Sequence, residues 1–441
     1  MEKDTQVQGS GPEVAEPTMA EKEATYERFV WDNLKRNYIG NYLHGMLGMT
    51  GFRLINAPTF MPVYLHLISG SNTIVGIGQA LQQVGSVISP IFGATQIEHR
   101  TKVMPAAVWM GGLARVQIVG MALAGWFLKG QPLIFAMLAL LFLFGLFMGT
   151  QRVVFGLLMA KVIPLSRRGR LQAWRNATGG LIAAVLALAA GKYIIQPNLF
   201  GHGYSTTFAL AALLTSAGLW ALQFLLREPE PPNLPARTSF INRLKTFPAL
   251  IRSDPGYAPF LAVQMLATAS RMAVPFYAIY VAHSMELTGK TLGALSLAYL
   301  GADTLSNLVW GYLGDKTGFR LVLLVSILAW IGATFLLLTL HTPMGIFAAF
   351  FGLGAAQSGY MMAAQTMILE FGSREEMPMR IAISATAEGI TASIGPLIGG
   401  VVADSLGYLT VFSISIAFLI TSLVVLLGFV KEPRKARLAR V

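Results

Sequence analysis

Two arginines lie deep inside long apolar stretches of this chain, where a charged side chain is costly and needs a partner or a function. They are Arg53 and Arg271, and each is followed by a proline, Pro58 or Pro275. Two guanidinium groups on neighbouring helices can hold one carboxylate or phosphate through charge-assisted hydrogen bonds. We therefore predict an anion clamp. The alternative is that each arginine extends toward the outer membrane interface or pairs with a neighbouring helix.

Other polar side chains within the apolar stretches are expected to line a substrate pathway with these arginines. They are Gln79, Gln83, Arg152, Asn307 and Gln357. Asp303 and Glu388 are candidates for carrying a coupling proton, because a carboxylate in an apolar setting can change its charge state near neutral pH. A salt bridge without a transport role is the alternative for both. Arg115 is expected to pack against the second apolar stretch.

Composition places the chain in a membrane. Of its 441 residues, 54% are hydrophobic and only 12% are charged, whereas about 25% are charged in soluble proteins. The net charge of +12 does not indicate nucleic acid, because the basic residues form no patch with stacking aromatics. The absence of cysteine excludes disulfides and thiolate metal sites.

Twelve apolar runs are long enough to cross a bilayer. They cover residues 38–68, 72–95, 104–128, 133–159, 171–195, 205–227, 257–284, 290–313, 321–340, 343–371, 381–404 and 408–430. This pattern predicts an all-α membrane protein whose twelve transmembrane helices form two six-helix bundles.

The predicted domain plan has five parts. A polar N-terminal tail, 1–37, is expected to be disordered through Ala24 and to form an interfacial helix over Tyr26–Tyr38. The first bundle, 38–227, is followed by a proline-rich central loop, 228–256, then by the second bundle, 257–430, and a basic tail, 431–441. Lysine and arginine are concentrated in alternate short loops and in the C-terminal tail, which predicts that both termini are cytoplasmic.

A ten-residue segment between two of the runs carries a recognisable pattern. Gly311–Arg320 reads G-Y-L-G-D-K-T-G-F-R and is predicted as a polar loop. It resembles the signature loop of the major facilitator superfamily, roughly G-x-x-x-D-[RK]-x-G-[RK]. The matching residues are Gly311, Asp315, Lys316, Gly318 and, one place late, Arg320. An echo begins at Gly93 and contains Glu98 and Arg100; its distance from Gly311 is close to the 218 residues that separate Arg53 from Arg271.

The resemblance implies a secondary active transporter that moves a small organic solute across the cytoplasmic membrane by alternating access. In that family the signature loop is similar to a latch that stabilises the outward-open form, a role expected here for both segments. Facilitators that exchange organophosphates place one arginine on each of the two corresponding helices. We therefore favour an anionic solute and expect proton coupling, a monomer and no cofactor.

Two other functions stay open. The first is efflux of hydrophobic or drug-like compounds, although the G-P-x-x-G-G motif of drug antiporters lies here at Gly395–Gly400 on the eleventh run, not on the fifth. The second is a non-transporting receptor or a membrane-complex assembly factor. An enzyme is not expected, because there is no phosphate-binding G-x-x-x-x-G-K-[ST], no G-x-S-x-G and no metal-ligand spacing among the six histidines.

Overall fold

The computed structural model describes residues 18–97, 101–230, 256–371 and 377–432, with the backbone alone for 90–97 and 378. These residues form helices joined by short turns, and no strand occurs within the described ranges. Nine helices among them are long and apolar enough to cross a membrane. The remaining three predicted spans also coincide with helices, which are broken or carry more polar residues.

Numbered in chain order, the spans have the following bounds. The first six are Leu34–Asn56 with Phe60–Ser69, Asn72–Ile97, Met104–Phe127, Gly130–Val162, Leu165–Ile195 and Gly203–Leu225. The last six are Tyr257–His283, Gly289–Thr317, Phe319–Thr339, Pro343–Ile368, Met377–Leu406 and Tyr408–Phe429. All twelve predicted spans are confirmed as helices.

Spans 1 and 7 are both interrupted by proline. Span 1 stops at Asn56 and resumes at Phe60 around Pro58. Span 7 changes at Arg271 from α-helix to a tighter 3-10 turn that contains Pro275. Proline has no N–H to donate and its ring crowds the preceding turn. Both mid-span arginines therefore lie at or just before a break in their helix.

The two halves of the chain pack in the same way. Span 4 crosses span 2 at Gly145, where an added Cβ would lie 2.0 Å from the carbonyl oxygen of Gln82. Span 10 crosses span 8 at Gly354, where an added Cβ would lie 2.1 Å from the carbonyl oxygen of Tyr299. Small residues allow such close helix crossings in membranes. The matched crossings indicate a repeated architecture.

The N-terminal helix differs from the prediction. It covers Met19–Asp32, so the expected disorder through Ala24 is wrong for residues 19–24, and the helix ends before Tyr38. A capping box, in which Thr18 and Glu21 bond each other's backbone, starts the helix earlier than its hydrophobic pattern suggests. The backbone N–H and the hydroxyl of Thr18 also lower the pKa of Glu21. The Tyr26 hydroxyl donates to the carbonyl oxygen of Lys161 at 2.8 Å and ties this helix to the end of span 4.

The signature segment is mostly helical, so its prediction as a loop is wrong. Span 8 continues through Thr317 and is broken only at Gly318, whose φ of 91° favours glycine. The stretch from Gly311 to Thr317 contains Gly314 but no proline, and the helix continues through it. Span 9 then begins, and the Arg320 guanidinium donates to carbonyl groups at the end of span 12, including that of Val430.

Candidate transport site and gates

An ion pair joins the two halves of the chain at mid-span. Nη1 of Arg53, on span 1, lies 2.7 Å from Oδ2 of Asp303, on span 8. Each side chain is 20% exposed, so neither is sealed off. Because most of each side chain is buried, water weakens the attraction between the two charges less than it would at the protein surface. It is the only ion pair between the two halves among the described residues.

Small and hydroxylated neighbours permit this pairing. The same Nη1 of Arg53 donates to Oγ1 of Thr304 at 3.0 Å, and that hydroxyl donates in turn to the carbonyl oxygen of Leu300. Gly180 of span 5 faces the same point, where an added Cβ would lie 2.2 Å from Thr304 Oγ1 and 3.0 Å from Arg53 Nη1. Spans 1, 5 and 8 therefore meet around one guanidinium group.

Arg271 has a different environment. It is partly buried and forms no hydrogen bond or ion pair within the described ranges, but it lies close enough to Glu388 and Tyr360 to interact electrostatically. The Tyr360 hydroxyl lies 3.2 Å from Oε1 of Glu388 and 3.1 Å from the carbonyl oxygen of Gln264, and it can donate to either. Arg53 and Arg271 thus each have a carboxylate nearby, and only Arg53 is bonded to its carboxylate.

Four of the other five predicted pathway residues are partly exposed within their spans, and the fifth, Arg152, is exposed. Asn307 donates to the backbone of Asp303 at 2.6 Å, and Gln83 accepts from Ser86 at 3.3 Å. Gln79 and Gln357 are also partly exposed. Arg152 is exposed and forms no hydrogen bond or ion pair in the part of the chain that the structure describes. The structure does not bring all five into contact with the Arg53–Asp303 pair.

Arg115 is not packed against span 2, so that prediction is wrong. Its guanidinium donates to the carbonyl oxygens of Thr215, on span 6, and Gly111, and to Oε1 of Gln151, on span 4. It also lies over the ring of Phe52. One carbonyl group of span 6, one of span 3 and the glutamine side chain accept hydrogen bonds from this otherwise costly buried charge.

Two basic residues near Arg115 did not stand out in the sequence. The His44 ring is buried and stacks on Phe155 at 4.5 Å. The Arg175 side chain lies over Gly45, where an added Cβ would be 1.6 Å from its Nε. Arg175 follows a run of loop arginines and looks like one of them. Only its place about ten residues inside span 5 distinguishes it.

Positive charge exceeds negative charge in the middle of the spans. Within the described helices, the arginines about ten or more residues from either end of their span are Arg53, Arg115, Arg152, Arg175 and Arg271. The carboxylates at comparable depth are Asp303 and Glu388. At this depth the described spans therefore carry more arginines than carboxylates.

One carboxylate closes one end of the molecule. Asp404, near the end of span 11, accepts hydrogen bonds from the backbone N–H groups of Asn72 and Thr73 and from the hydroxyls of Ser71 and Thr73, at 2.7 to 2.9 Å. These residues form the N-terminus of span 2, whose dipole favours a negative charge. We call the end that contains Asp404 and Ser71 the closed end.

Further contacts between the halves seal the closed end. Oγ1 of Thr59 lies 2.6 Å from Oγ of Ser296, and both side chains are fully buried. Glycines allow backbones to touch: an added Cβ on Gly76 would lie 2.3 Å from the carbonyl oxygen of Pro396, and one on Gly400 would lie 2.5 Å from that of Asn72. The described residues of the two halves are therefore in direct contact at this end.

The opposite end, called the open end, is where the signature segment lies. Between the described residues of the two halves, no hydrogen bond or ion pair occurs on the open-end side of the Arg53–Asp303 level. The Asp315 side chain is exposed, and Lys316 lies over the ring of Tyr312 at 4.6 Å. Gly93 lies within the helix of span 2. Glu98 and Arg100 lie outside the described residues. The proposed latch is thus not engaged by Asp315 in this conformation.

Comparisons with known proteins agree with this architecture. A family model described as Major Facilitator Superfamily matches residues 259–440. Multidrug resistance protein MdtG of Klebsiella pneumoniae (strain 342) is 25% identical over 397 residues, or 87% of this chain and 90% of that protein. MdtG of Escherichia coli O17:K52:H18 is 24% identical over 421 residues, or 93% and 96%.

Two solved structures share the fold. A D-xylose-proton symporter matches with a TM-score of 0.69 and 14% identity over 91% of this chain and 99% of that one. The nucleoside transporter NupG matches with a TM-score of 0.63 and 14% identity over 89% and 98%. This chain has the fold of these helical transporters. The second half of the chain matches the major facilitator superfamily model, and the likeness to transporters over most of the chain supports a multi-pass secondary transporter of a small-molecule solute. That family and fold are generally non-enzymatic.

Proposed function

We propose that this protein transports a small anionic organic solute together with a proton, as a monomer with both termini in the cytoplasm. The observation that carries the proposal is the Arg53–Asp303 ion pair between the halves. An incoming carboxylate or phosphate can replace the Asp303 carboxylate at the Arg53 guanidinium. The displaced carboxylate then takes up a proton, because a bare charge at that depth is costly.

This exchange of partners at Arg53 couples solute binding to proton binding at a single site. When no solute is bound, Asp303 neutralises Arg53 and the site carries no excess charge. When an anion and a proton are bound, Arg53 is neutralised by the anion and Asp303 by the proton. An anion alone or a proton alone leaves one charge uncompensated. The empty and the fully loaded sites are therefore the two forms suited to crossing the membrane.

The excess of arginine over carboxylate in the middle of the spans supports the anionic class. Arg152, exposed and without a partner among the described residues, is a candidate second contact for the solute on the approach from the open end. Arg271 and Glu388 provide a second neighbouring pair of opposite charge on the other half. The positive-inside pattern of the loops makes the open end cytoplasmic.

In the proposed mechanism of alternating access, the two ends of the molecule close in turn. In this conformation the Asp404 contacts hold the closed end, and Asp315 at the open end is exposed and available for the opposite closure. The Arg53–Asp303 pair lies between the two gates. Breaking the pair removes one of the polar links between the halves, so solute binding can favour the change of conformation.

The test is ligand-induced stabilisation of the purified protein in detergent at matched ionic strength. Glycerol 3-phosphate, citrate and succinate represent anions, glucose and uridine represent neutral solutes, and tetraphenylphosphonium represents lipophilic cations. A ligand at about 100 times its Kd stabilises the folded state by about 2.7 kcal/mol. We expect an anion to raise the Tm, Arg53→Gln to abolish the shift, and Arg28→Gln, on the exposed N-terminal helix, to preserve it.

Efflux of hydrophobic or drug-like compounds is the second candidate, and the names of the MdtG relatives favour it. Those relatives cover 87 to 93% of this chain. In that case tetraphenylphosphonium or a neutral drug raises the Tm, and Arg53→Gln leaves the shift intact. Stabilisation by lipophilic compounds alone would refute the anionic proposal. Transport into proteoliposomes, with and without a proton gradient, then decides the coupling.

A further inference from the structure

A groove outside the transport pathway lies at the open end of spans 1 and 5. It encloses about 720 Å³ and is lined by side chains from the end of the N-terminal helix and from the first turns of both spans. Members that matter here are Trp31, Lys35, Ile39, Arg167, Arg170 and Trp174. None of the Arg53–Asp303 neighbours belongs to it.

Three cations line this groove without compensation. Lys35, Arg167 and Arg170 form no side-chain hydrogen bond or ion pair within residues 18–97, 101–230, 256–371 and 377–432. Among the described residues, no carboxylate lines the groove. The N-terminal ends of spans 1 and 5 meet here as well, and their dipoles also favour a negative charge. The groove is therefore complementary to an anion.

Apolar side chains continue the groove toward the middle of the membrane. Ile39 and Trp174, which lie further along their spans, are 43% and 53% exposed, whereas Trp31, which precedes span 1, is 52% exposed. Lys35 and Arg167 are in the first turn of their spans, whereas Trp174 lies nine residues after Leu165, or about 13 Å at ~1.5 Å per residue. A free phosphate needs only the cations. A groove that is cationic at its outer end and apolar further in matches a head group followed by an acyl chain.

We propose that this groove binds one anionic phospholipid, with its phosphate between Lys35, Arg167 and Arg170 and its acyl chain along Ile39 and Trp174. Basic pockets between transmembrane helices bind anionic head groups in this way, and tryptophan is favoured at the membrane interface. The lipid bridges span 1, which carries Arg53, and span 5, which carries Gly180. It therefore holds together the two helices of the first half that meet at the ion pair.

The experiment is native mass spectrometry of the full chain with dioleoyl phosphatidylglycerol, compared with dioleoyl phosphatidylcholine and inorganic phosphate. The triple variant Lys35→Gln, Arg167→Gln, Arg170→Gln removes the cations. A matched control, Lys22→Gln, Arg28→Gln, Lys102→Gln, removes three exposed cations of the same half. We expect one phosphatidylglycerol per chain on the wild type and the control, and at least a tenfold loss of affinity in the triple variant.

Three results would overturn the proposal. They are equal binding of phosphatidylcholine, retention of phosphatidylglycerol by the triple variant, or competition by inorganic phosphate at the concentration of the lipid. Single substitutions at Arg167 and Arg170 serve if the triple variant does not fold, and each should weaken binding severalfold. Trp174→Ala tests the acyl contact and should weaken long-chain but not dihexanoyl phosphatidylglycerol. The identity of the transported solute does not affect any of these outcomes.

Discussion

The guanidinium of Arg53 and the carboxylate of Asp303 are 2.7 Å apart although 250 residues separate them in the chain. One belongs to the first half and the other to the second, so the pair exists only while the halves meet at this level. Whether the pair forms therefore depends both on the relative position of the two halves and on the charge state of the site. Both properties are needed for coupling solute binding to a change of conformation.

A double-mutant cycle should show that Arg53 and Asp303 depend on each other. Arg53→Gln and Asp303→Asn are each expected to lower the free energy of unfolding by about 1–3 kcal/mol, because each leaves a half-buried charge without its partner. The double variant should lose less than the sum, with a coupling of about 1–2 kcal/mol. Chemical unfolding in detergent provides the measurement. Additive losses would mean that the ion pair is absent in solution.

The closed end can be locked by chemistry. Thr59 and Ser296 have their Oγ atoms 2.6 Å apart, so Thr59→Cys with Ser296→Cys should form a disulfide on oxidation. The native chain has no cysteine, which leaves the two single-cysteine variants as clean controls. We expect oxidation of the pair to stop transport in proteoliposomes and a reductant to restore it. Full transport by the cross-linked protein would exclude opening at this end.

Neutralising Asp404 should make the closed end open more often. Asp404→Asn is expected to shift the balance toward opening by about 1–2 kcal/mol, or roughly tenfold, because a carboxylate bonds backbone N–H groups more strongly than an amide does. A lone Ser296→Cys then serves as the probe, and maleimide labelling should become about ten times faster. Ser405→Ala, whose hydroxyl bonds only its own helix, is the control. Unchanged labelling would show that Asp404 does not hold the gate.

Two arginines on neighbouring spans should respond differently to the same substitution. Arg115→Gln should lower the free energy of unfolding by about 2–4 kcal/mol, since it removes bonds to Thr215, Gly111 and Gln151. Arg152→Gln should change stability by only about 0.5 kcal/mol, because the side chain is exposed and unpartnered among the described residues.

Transport gives the complementary measurement for this pair. Arg152→Gln should raise the KM for an anionic solute about tenfold, whereas any surviving fraction of folded Arg115→Gln should keep its KM. A normal KM in Arg152→Gln would remove that residue from the solute pathway.

Local sequence patterns predicted the spans well, because twenty apolar residues in a bilayer have few alternatives to a helix. The end of span 8 was missed for a local reason: Asp315 and Lys316 are polar, yet nothing before Gly318 stops the helix. The partners of Arg115 were missed for another reason, since two of them are backbone carbonyl groups, of Thr215 and Gly111, that no side-chain pattern reveals. The network of Asp404 likewise depends on how the two halves meet. The sequence suggested a salt bridge for Asp303 but did not identify Arg53 as its partner.

The glycine contacts at the closed end have a practical use. Gly400 touches the backbone of Asn72 so closely that one methyl group has no room there, while the same group meets no obstacle once the halves part. Alanine at this position would thus act as a wedge that penalises one conformation and spares the other. A single carbon atom could then hold the protein in the form opposite to the one described here, ready for imaging without antibody or inhibitor.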